Sequence, residues 1–322
     1  MRAYIIRRLL LIIPTLWIVS VAVFLMIRMI PGDVIDAIVA EQALLASDAG
    51  SVINREAVEK RLGLDAPIHV QYGRWMGDIV LRGSLGVSLR EGYSVTDKIA
   101  TRLPVSFELG IMSVIIGLII AIPLGTYSAI RQDTAGDYLG RSLAIIFISV
   151  PSFWIGTMIM IYPALWWRWS PPLELVAFTD DPLGNLGMFI IPSCVLGMLM
   201  SGTTMRMIRA MMLEVLRQDY IRTAWSKGLR ERVVIVRHAI RNAFIPVVTI
   251  IGYQIPMLVG GSVIIEQIFA LPGIGRLMLF SLSNRDYTVV SGINLLVATA
   301  VLATNLIVDL TYAYLDPRVR YG

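Results

Sequence analysis

Six stretches of this chain run for 19 to 26 residues without a single Asp, Glu, Lys or Arg: 9–27, 109–130, 142–167, 182–205, 242–265 and 287–308. No other uncharged run exceeds nine residues. A helix needs roughly 20 apolar residues to cross a bilayer core. Inside that core every backbone N–H and C=O must find its partner within the protein, which a helix achieves alone. The gap between long and short runs predicts six transmembrane helices. Composition agrees, with 56% hydrophobic and only 16% charged residues, against about 25% charge in an ordinary soluble domain. A soluble enzyme and a disordered chain are both excluded.

The first run follows Arg7 and Arg8, as a secretory signal would. A signal core is about 7–15 residues long and ends at small residues. This run has 19 residues and ends on bulky ones, so it reads as a retained helix.

Lys and Arg set the orientation. With the N-terminus inside, the cytoplasmic segments hold sixteen basic residues, nine of them between Met205 and Asn242. The two short outside loops hold three: Arg168, Arg276 and Arg285. Both termini are therefore expected in the cytoplasm. The net charge of +5 is a topology signal, with no basic soluble domain to hold nucleic acid. A single cysteine, Cys194, and two histidines, His69 and His238, cannot build a disulfide or a thiolate metal cage.

Three regions follow. Residues 1–30 are a tail and the first helix. Residues 31–104 form an external region too long to be a mere connector. Residues 105–322 form a five-helix core. In the external region Ile68, Tyr72, Trp75 and Ile79 recur at helical spacing, which predicts an amphipathic helix with interfacial aromatics. Ser94 followed by Asp97 has the form of a helix start. Trp166, Trp167 and Trp169 at a run's end read as an interfacial belt.

Within the runs, Pro and Gly are frequent. Gly252, Pro256 and Gly260 are four apart and share a helix face, where small residues allow close approach. Together with Pro151 they are the candidates for a translocation path. Glu108, Glu266 and Asp309 lie at run edges and none at mid-run. That argues against an ion-coupled secondary transporter, which places carboxylates deep in its bundle.

The segment 206–241 is the most informative. Asp219 is the expected N-cap of a short helix over 220–227, with Gly228 as its stop. Tyr220, Ile221, Ala224 and Trp225 form one apolar face. A helix this short is marginal alone and needs lipid headgroups or a groove on a cytosolic partner.

This segment resembles the coupling loop of ABC importer permeases, whose pattern is Glu-Ala-Ala, three residues, Gly, nine residues, then Ile-x-Leu-Pro. Ala224 and Gly228 match its second Ala and its Gly. Arg222 and Thr223 replace its Glu and first Ala, and Pro246 lies further downstream. Those departures are typical of the peptide/nickel branch. Other blocks agree in order along the chain: Pro31-Gly32-Asp33, Leu62 to Pro67, Gln71-Tyr72, Gly83 to Gly86, Arg102 to Pro104, Glu266 to Gly275, Arg285 to Tyr287, and Asp309 to Arg318. The chain thus resembles the B-type permease subunit of dipeptide, oligopeptide and nickel importers.

The resemblance implies an all-α integral membrane protein of the type I ABC importer permease fold, multi-pass in a bacterial or archaeal inner membrane. It implies a homologous second permease, two cytosolic ATPases carrying ATP and Mg, and an extracytoplasmic substrate-binding protein. The chain itself has no Gly-x-x-x-x-Gly-Lys-Ser/Thr loop and is expected to hold no cofactor and perform no catalysis. Coupling to the ATPases would fall to Glu214, Asp219, Tyr220, Ala224, Lys227, Gly228 and Leu229. Peptides are the default cargo, with nickel chelates, glycosides or other small solutes open. An exporter or a passive scaffold would not need the large external region or the Gly/Pro-rich helices.

Overall fold

The computed structural model describes residues 2–29, 65–172 and 175–315. Most of the external region, including the blocks at 31–33 and 62–64, and the block at 316–318 lie outside the described residues. The described part is helical, with one isolated bridge between Val87 and Ser94. The helices are α1 (Arg2–Arg28), α2 (Ile68–Arg82), α3 (Val95–Ile130), α4 (Ala135–Ser149), α5 (Ser152–Trp167), α6 (Pro182–Leu216), α7 (Asp219–Ser226), α8 (Glu231–Val233), α9 (Arg241–Ile268), α10 (Ile274–Ser283) and α11 (Tyr287–Leu315). A π-helical segment, Val234–Ile240, joins α8 to α9.

Among the described residues, three helices are long and apolar enough to cross a membrane: α3, α6 and Tyr287–Thr311 of α11. Two bent pairs raise this to as many as five, and Leu10–Met26 of α1 is a shorter apolar helix. The third uncharged run is not one straight helix as expected. It bends by 89° between α4 and α5. The cause is Pro151, which disfavours the helical region for the residue before it. Val150 is accordingly extended (φ −85°, ψ 123°), and Pro151 (φ −63°, ψ 131°) caps α5. The fifth run bends too, by 52° between Phe244 and Pro246.

The chain divides into two compact units. The first comprises 1–6, 104–276 and 300–322. Its spine is α6, where Asp181 accepts from Leu183 N at 3.1 Å and Pro182 takes the first turn, which needs no N–H partner. One core gathers Leu109, Met188, Phe189, Leu196, Ile265 and Leu271. A second gathers Met205, Ile208, Met212, Ile221, Val234, Ile235 and Ala239 around the other end of α6. Against α4, a Cβ on Gly202 would lie 2.7 Å from the carbonyl of Ala144, so the two helices meet backbone to backbone.

The second unit comprises 7–103 and 277–299. The predicted amphipathic helix is α2. Its aromatics pack on α1: Tyr72 Oη and Ser20 Oγ are 2.8 Å apart, and Phe24 meets the rings of Tyr72 and Trp75 at 5.2 and 5.7 Å. Ser94 caps α3 by accepting from Asp97 N at 3.4 Å. Asp286 opens α11 and receives Ser88 Oγ at 2.5 Å, tying the 83–94 turn to that helix. Beside it, burial pushes the Tyr93 phenol up, helped by the nearby charges of Asp286 and Glu91.

Candidate functional site

The segment 206–241, the candidate for coupling, is a helix, a short helix and a helix. The first is α6 itself, which continues to Leu216, so the expected loop 206–241 begins as eleven residues of unbroken helix (206–216). Glu214 is exposed near its end, and its carbonyl accepts from Arg217 N at 3.3 Å. The chain then turns into α7, Asp219–Ser226.

The N-cap of α7 is Gln218, extended at φ −73° and ψ 147°, rather than Asp219. Asp219 instead occupies the first turn, where a carboxylate complements the positive end of the helix dipole. It also meets Arg222 at 3.4 Å on the exposed surface. Lys227 is the C-cap, and its N–H reaches Thr223 O at 3.1 Å. Gly228 follows at φ +73° and donates to Trp225 O at 2.9 Å. A Cβ there would meet nothing within 4 Å. The glycine is therefore set by backbone conformation and not by space, since a left-handed residue with a side chain costs about 1–2 kcal/mol.

The apolar face expected on α7 is divided. Ile221 and Ala224 are buried against Val234, Ile235 and Ala239 of the π-helical segment and against Met212 of α6. Tyr220 (42% exposed), Trp225 (43%) and Leu229 (38%) face outward. Ile221 and Ala224, three apart, share the strip turned to α6 and the π-helical segment, and Tyr220 and Trp225 flank it on either side. So α7 docks on its own chain through two residues and presents an aromatic and basic outer surface with Arg222, Lys227 and Arg230 exposed beside it. Tyr220 is held in place, since Asn242 Nδ2 donates to its hydroxyl at 2.9 Å. Neither Asn242 nor the π-helical turn was foreseen from sequence. A π turn has no composition signal, though such turns recur at functional sites.

The path candidates lie on different elements. Pro151 sits at the 89° bend. Gly252 lies on α9 opposite Val308 of α11, on which any Cβ would collide. Pro256 and Gly260 lie further along α9.

The structure assembles two polar clusters whose partners sequence does not show, one around Asp137 and one around the run-edge carboxylate Glu266. Asp137, fully buried at the start of α4, receives Arg209 Nε and an Arg209 Nη at 2.7 Å each. Ser128 Oγ also donates to it, and Asp133 N donates at 3.0 Å. Arg209 had read only as topology charge. Thr134, three residues before Asp137, is the one local signal: it is the N-cap of α4. The second cluster is Glu266, which receives Ser106 Oγ at 2.6 Å and Arg276 N at 2.9 Å. Ser106 Oγ in turn receives Ile274 N at 2.8 Å. A Cβ on Gly273 would fall onto the Glu266 carboxyl and lie 2.6 Å from Ser106 Oγ. The block from Glu266 to Gly275 is thus one turn folded over a carboxylate.

Residues 121–321 match the family described as the binding-protein-dependent transport system inner membrane component. Residues 1–110 match the N-terminal region of such membrane components. A Brucella abortus (strain 2308) protein provisionally named a peptide transport system permease is 40% identical over 321 residues, covering 100% of both chains. The oligopeptide transport system permease protein AppB of Bacillus subtilis (strain 168) is 38% identical over 325 residues, again covering 100% of both. The dipeptide transport system permease protein DppB of Escherichia coli (strain K12) is 37% identical over 345 residues, covering 100% of this chain and 99% of that one. In three dimensions, one chain from the crystal structure of an amino acid ABC transporter with histidines aligns at TM-score 0.53 and 14% identity. That alignment covers 68% of this chain and 94% of the other, a likeness of fold. With apolar helices throughout and two family matches that together span most of its length, this multi-pass membrane protein belongs to the inner membrane components of binding-protein-dependent transport systems.

Proposed function

We propose that this chain is one of two homologous transmembrane subunits of an ATP-driven importer for peptides. The observation that carries the reading is the end-to-end similarity to permeases named for peptide, dipeptide and oligopeptide transport. The exposed aromatic surface of α7 supports it. Six spans, with both termini in the cytoplasm of a bacterial or archaeal cell, put α7 on the side where two ATPases would dock.

In this reading ATP and Mg bind the ATPases, and the chain makes and breaks no covalent bond. Closure of the ATPases moves α7 through Tyr220, Trp225 and Leu229, while Ile221 and Ala224 pass the displacement to α6 and α9. Rocking of the helices then exchanges outward for inward access, a two-state change in which each state has its own contacts. Glu214, Asp219, Lys227 and Gly228 shape the two ends of α7. Pro151, Gly252, Pro256 and Gly260 are the hinge and close-packing positions along the path. Cargo arrives from an external binding protein.

The test is ATP hydrolysis by the reconstituted assembly, stimulated by binding protein loaded from a panel of peptides, nickel chelates and glycosides. Stimulation by peptides alone supports the reading. Gly228→Pro removes the N–H bonded to Trp225 and forbids positive φ. It is expected to abolish stimulation while the subunits still assemble. Unchanged stimulation in that variant would show that α7 is not the transmitting element.

A further inference from the structure

A hollow of about 340 Å³ opens beside α4 and α6, lined by Arg141, Ile145, Arg206 and Arg209. Three guanidiniums border it, and two of them share one carboxylate, that of Asp137. Arg209 is bound to Asp137 by both of its bonds, and Arg141 is 4.0 Å from the same carboxylate. Arg206 has no ionic or hydrogen-bonding partner among the described residues. Against these three positive charges stand Asp137 and the nearby Asp133, whose charge also acts on Arg209, so the cluster keeps a positive surplus around a concave surface, an arrangement suited to a phosphate group.

Its surroundings decide what carries the phosphate. Along one stripe of α4 stand Tyr138, Arg141, Ile145 and Ile148, at spacings of three and four residues that share a face. Tyr138 is 55% exposed, and Arg141 stacks over its ring at 5.4 Å. Ile145 is 57% and Ile148 37% exposed. The facing stripe of α6 repeats the order in the opposite chain direction, with Arg206, Thr203 and Leu199 all exposed. On both helices the cations sit at the polar end of an uncharged run, and the exposed apolar residues lie one to two turns deeper. A soluble anion has no use for that apolar continuation. A lipid does, with its headgroup among the arginines and its acyl chains along Ile145, Ile148 and Leu199.

We propose that the Arg141–Arg206–Arg209 hollow is a binding site for an anionic phospholipid. The site needs only that α4 and α6 enter the bilayer, and it stands or falls independently of the cargo and of α7.

The test is native mass spectrometry of the assembly co-purified from membranes through a tagged copy of this chain. It is titrated with phosphatidylglycerol, phosphatidylcholine and inorganic phosphate. Wild type is expected to retain phosphatidylglycerol over phosphatidylcholine. Each arginine near an anionic headgroup contributes about fivefold, so Arg141→Gln/Arg206→Gln should weaken retention by about 25-fold. Arg206→Gln alone, which breaks no hydrogen bond or ion pair among the described residues, should weaken it by about fivefold. Equal retention by wild type and both variants overturns the proposal, as does failure to distinguish the two lipids. Displacement of the lipid by millimolar inorganic phosphate would assign the site to a free oxyanion instead.

Discussion

The guanidinium of Arg209 grips the carboxylate of Asp137 through two hydrogen bonds of 2.7 Å, joining the C-terminal part of α6 to the first turn of α4. The carboxylate has no solvent exposure and also receives Ser128 from α3, so three helices meet on one charge. Removing one partner of such a buried pair costs roughly 3–5 kcal/mol, because the other charge is left uncompensated. Asp137→Ala and Arg209→Ala should each lower the apparent melting temperature of the purified assembly steeply. The double variant Asp137→Leu/Arg209→Met should recover much of the loss, since it leaves no buried charge. Thermal unfolding followed by size-exclusion chromatography reads all three, and an additive double variant would contradict the pairing.

At Gly228 the constraint is backbone and not space, with φ +73° and an empty surrounding. Substitutions should therefore rank by tolerance of the left-handed region, with Asn milder than Ala and Ala milder than Val. Stimulated ATP hydrolysis should fall in that order while assembly is retained. A ranking by side-chain size alone, with Asn worse than Ala, would contradict the conformational account.

The turn over Glu266 is constrained by space. Gly273→Ala places a methyl on the Glu266 carboxyl and 2.6 Å from Ser106 Oγ, and overpacking of this kind costs typically about 1–3 kcal/mol. Ser106→Ala removes one donor to Glu266 and the acceptor for Ile274 N. Both should reduce folded yield and thermal midpoint. Pairing Gly273→Ala with Ser106→Ala should cost less than the sum of the two, because the methyl then meets a smaller neighbour.

On α9, a side chain at Gly252 meets Val308 of α11. Gly252→Ala should separate these helices and depress transport, and Val308→Ala should restore part of it by making room for the new methyl. Uptake in cells, normalised to the amount of folded protein, measures the rescue. A Val308→Ala change without any rescue would place the cost of Gly252→Ala elsewhere.

Sequence alone fixed the class of this protein, the positions of its apolar runs, the amphipathic helix at Ile68–Arg82 and the stop at Gly228. These are local facts: the free energy of placing an uncharged run in lipid, or a positive φ at glycine, depends on the residues themselves. The alignment of short blocks, none sufficient alone, also pointed to the family that the full-length similarities bear out. The tertiary structure decided what depends on residues far apart in the chain. It broke the third run at Pro151, although the uncharged pattern there has no interruption. It turned Ile221 inward and Tyr220 outward, because which flank of an amphipathic helix is buried is set by the partner surface and not by the helix. It paired Arg209 with Asp137 across 72 positions and Glu266 with Ser106 across 160. A lone charge in a sequence carries no record of its partner; only the packing of α3, α4 and α6 for Asp137, and of α3 with α9 for Glu266, brings these groups within hydrogen-bond reach.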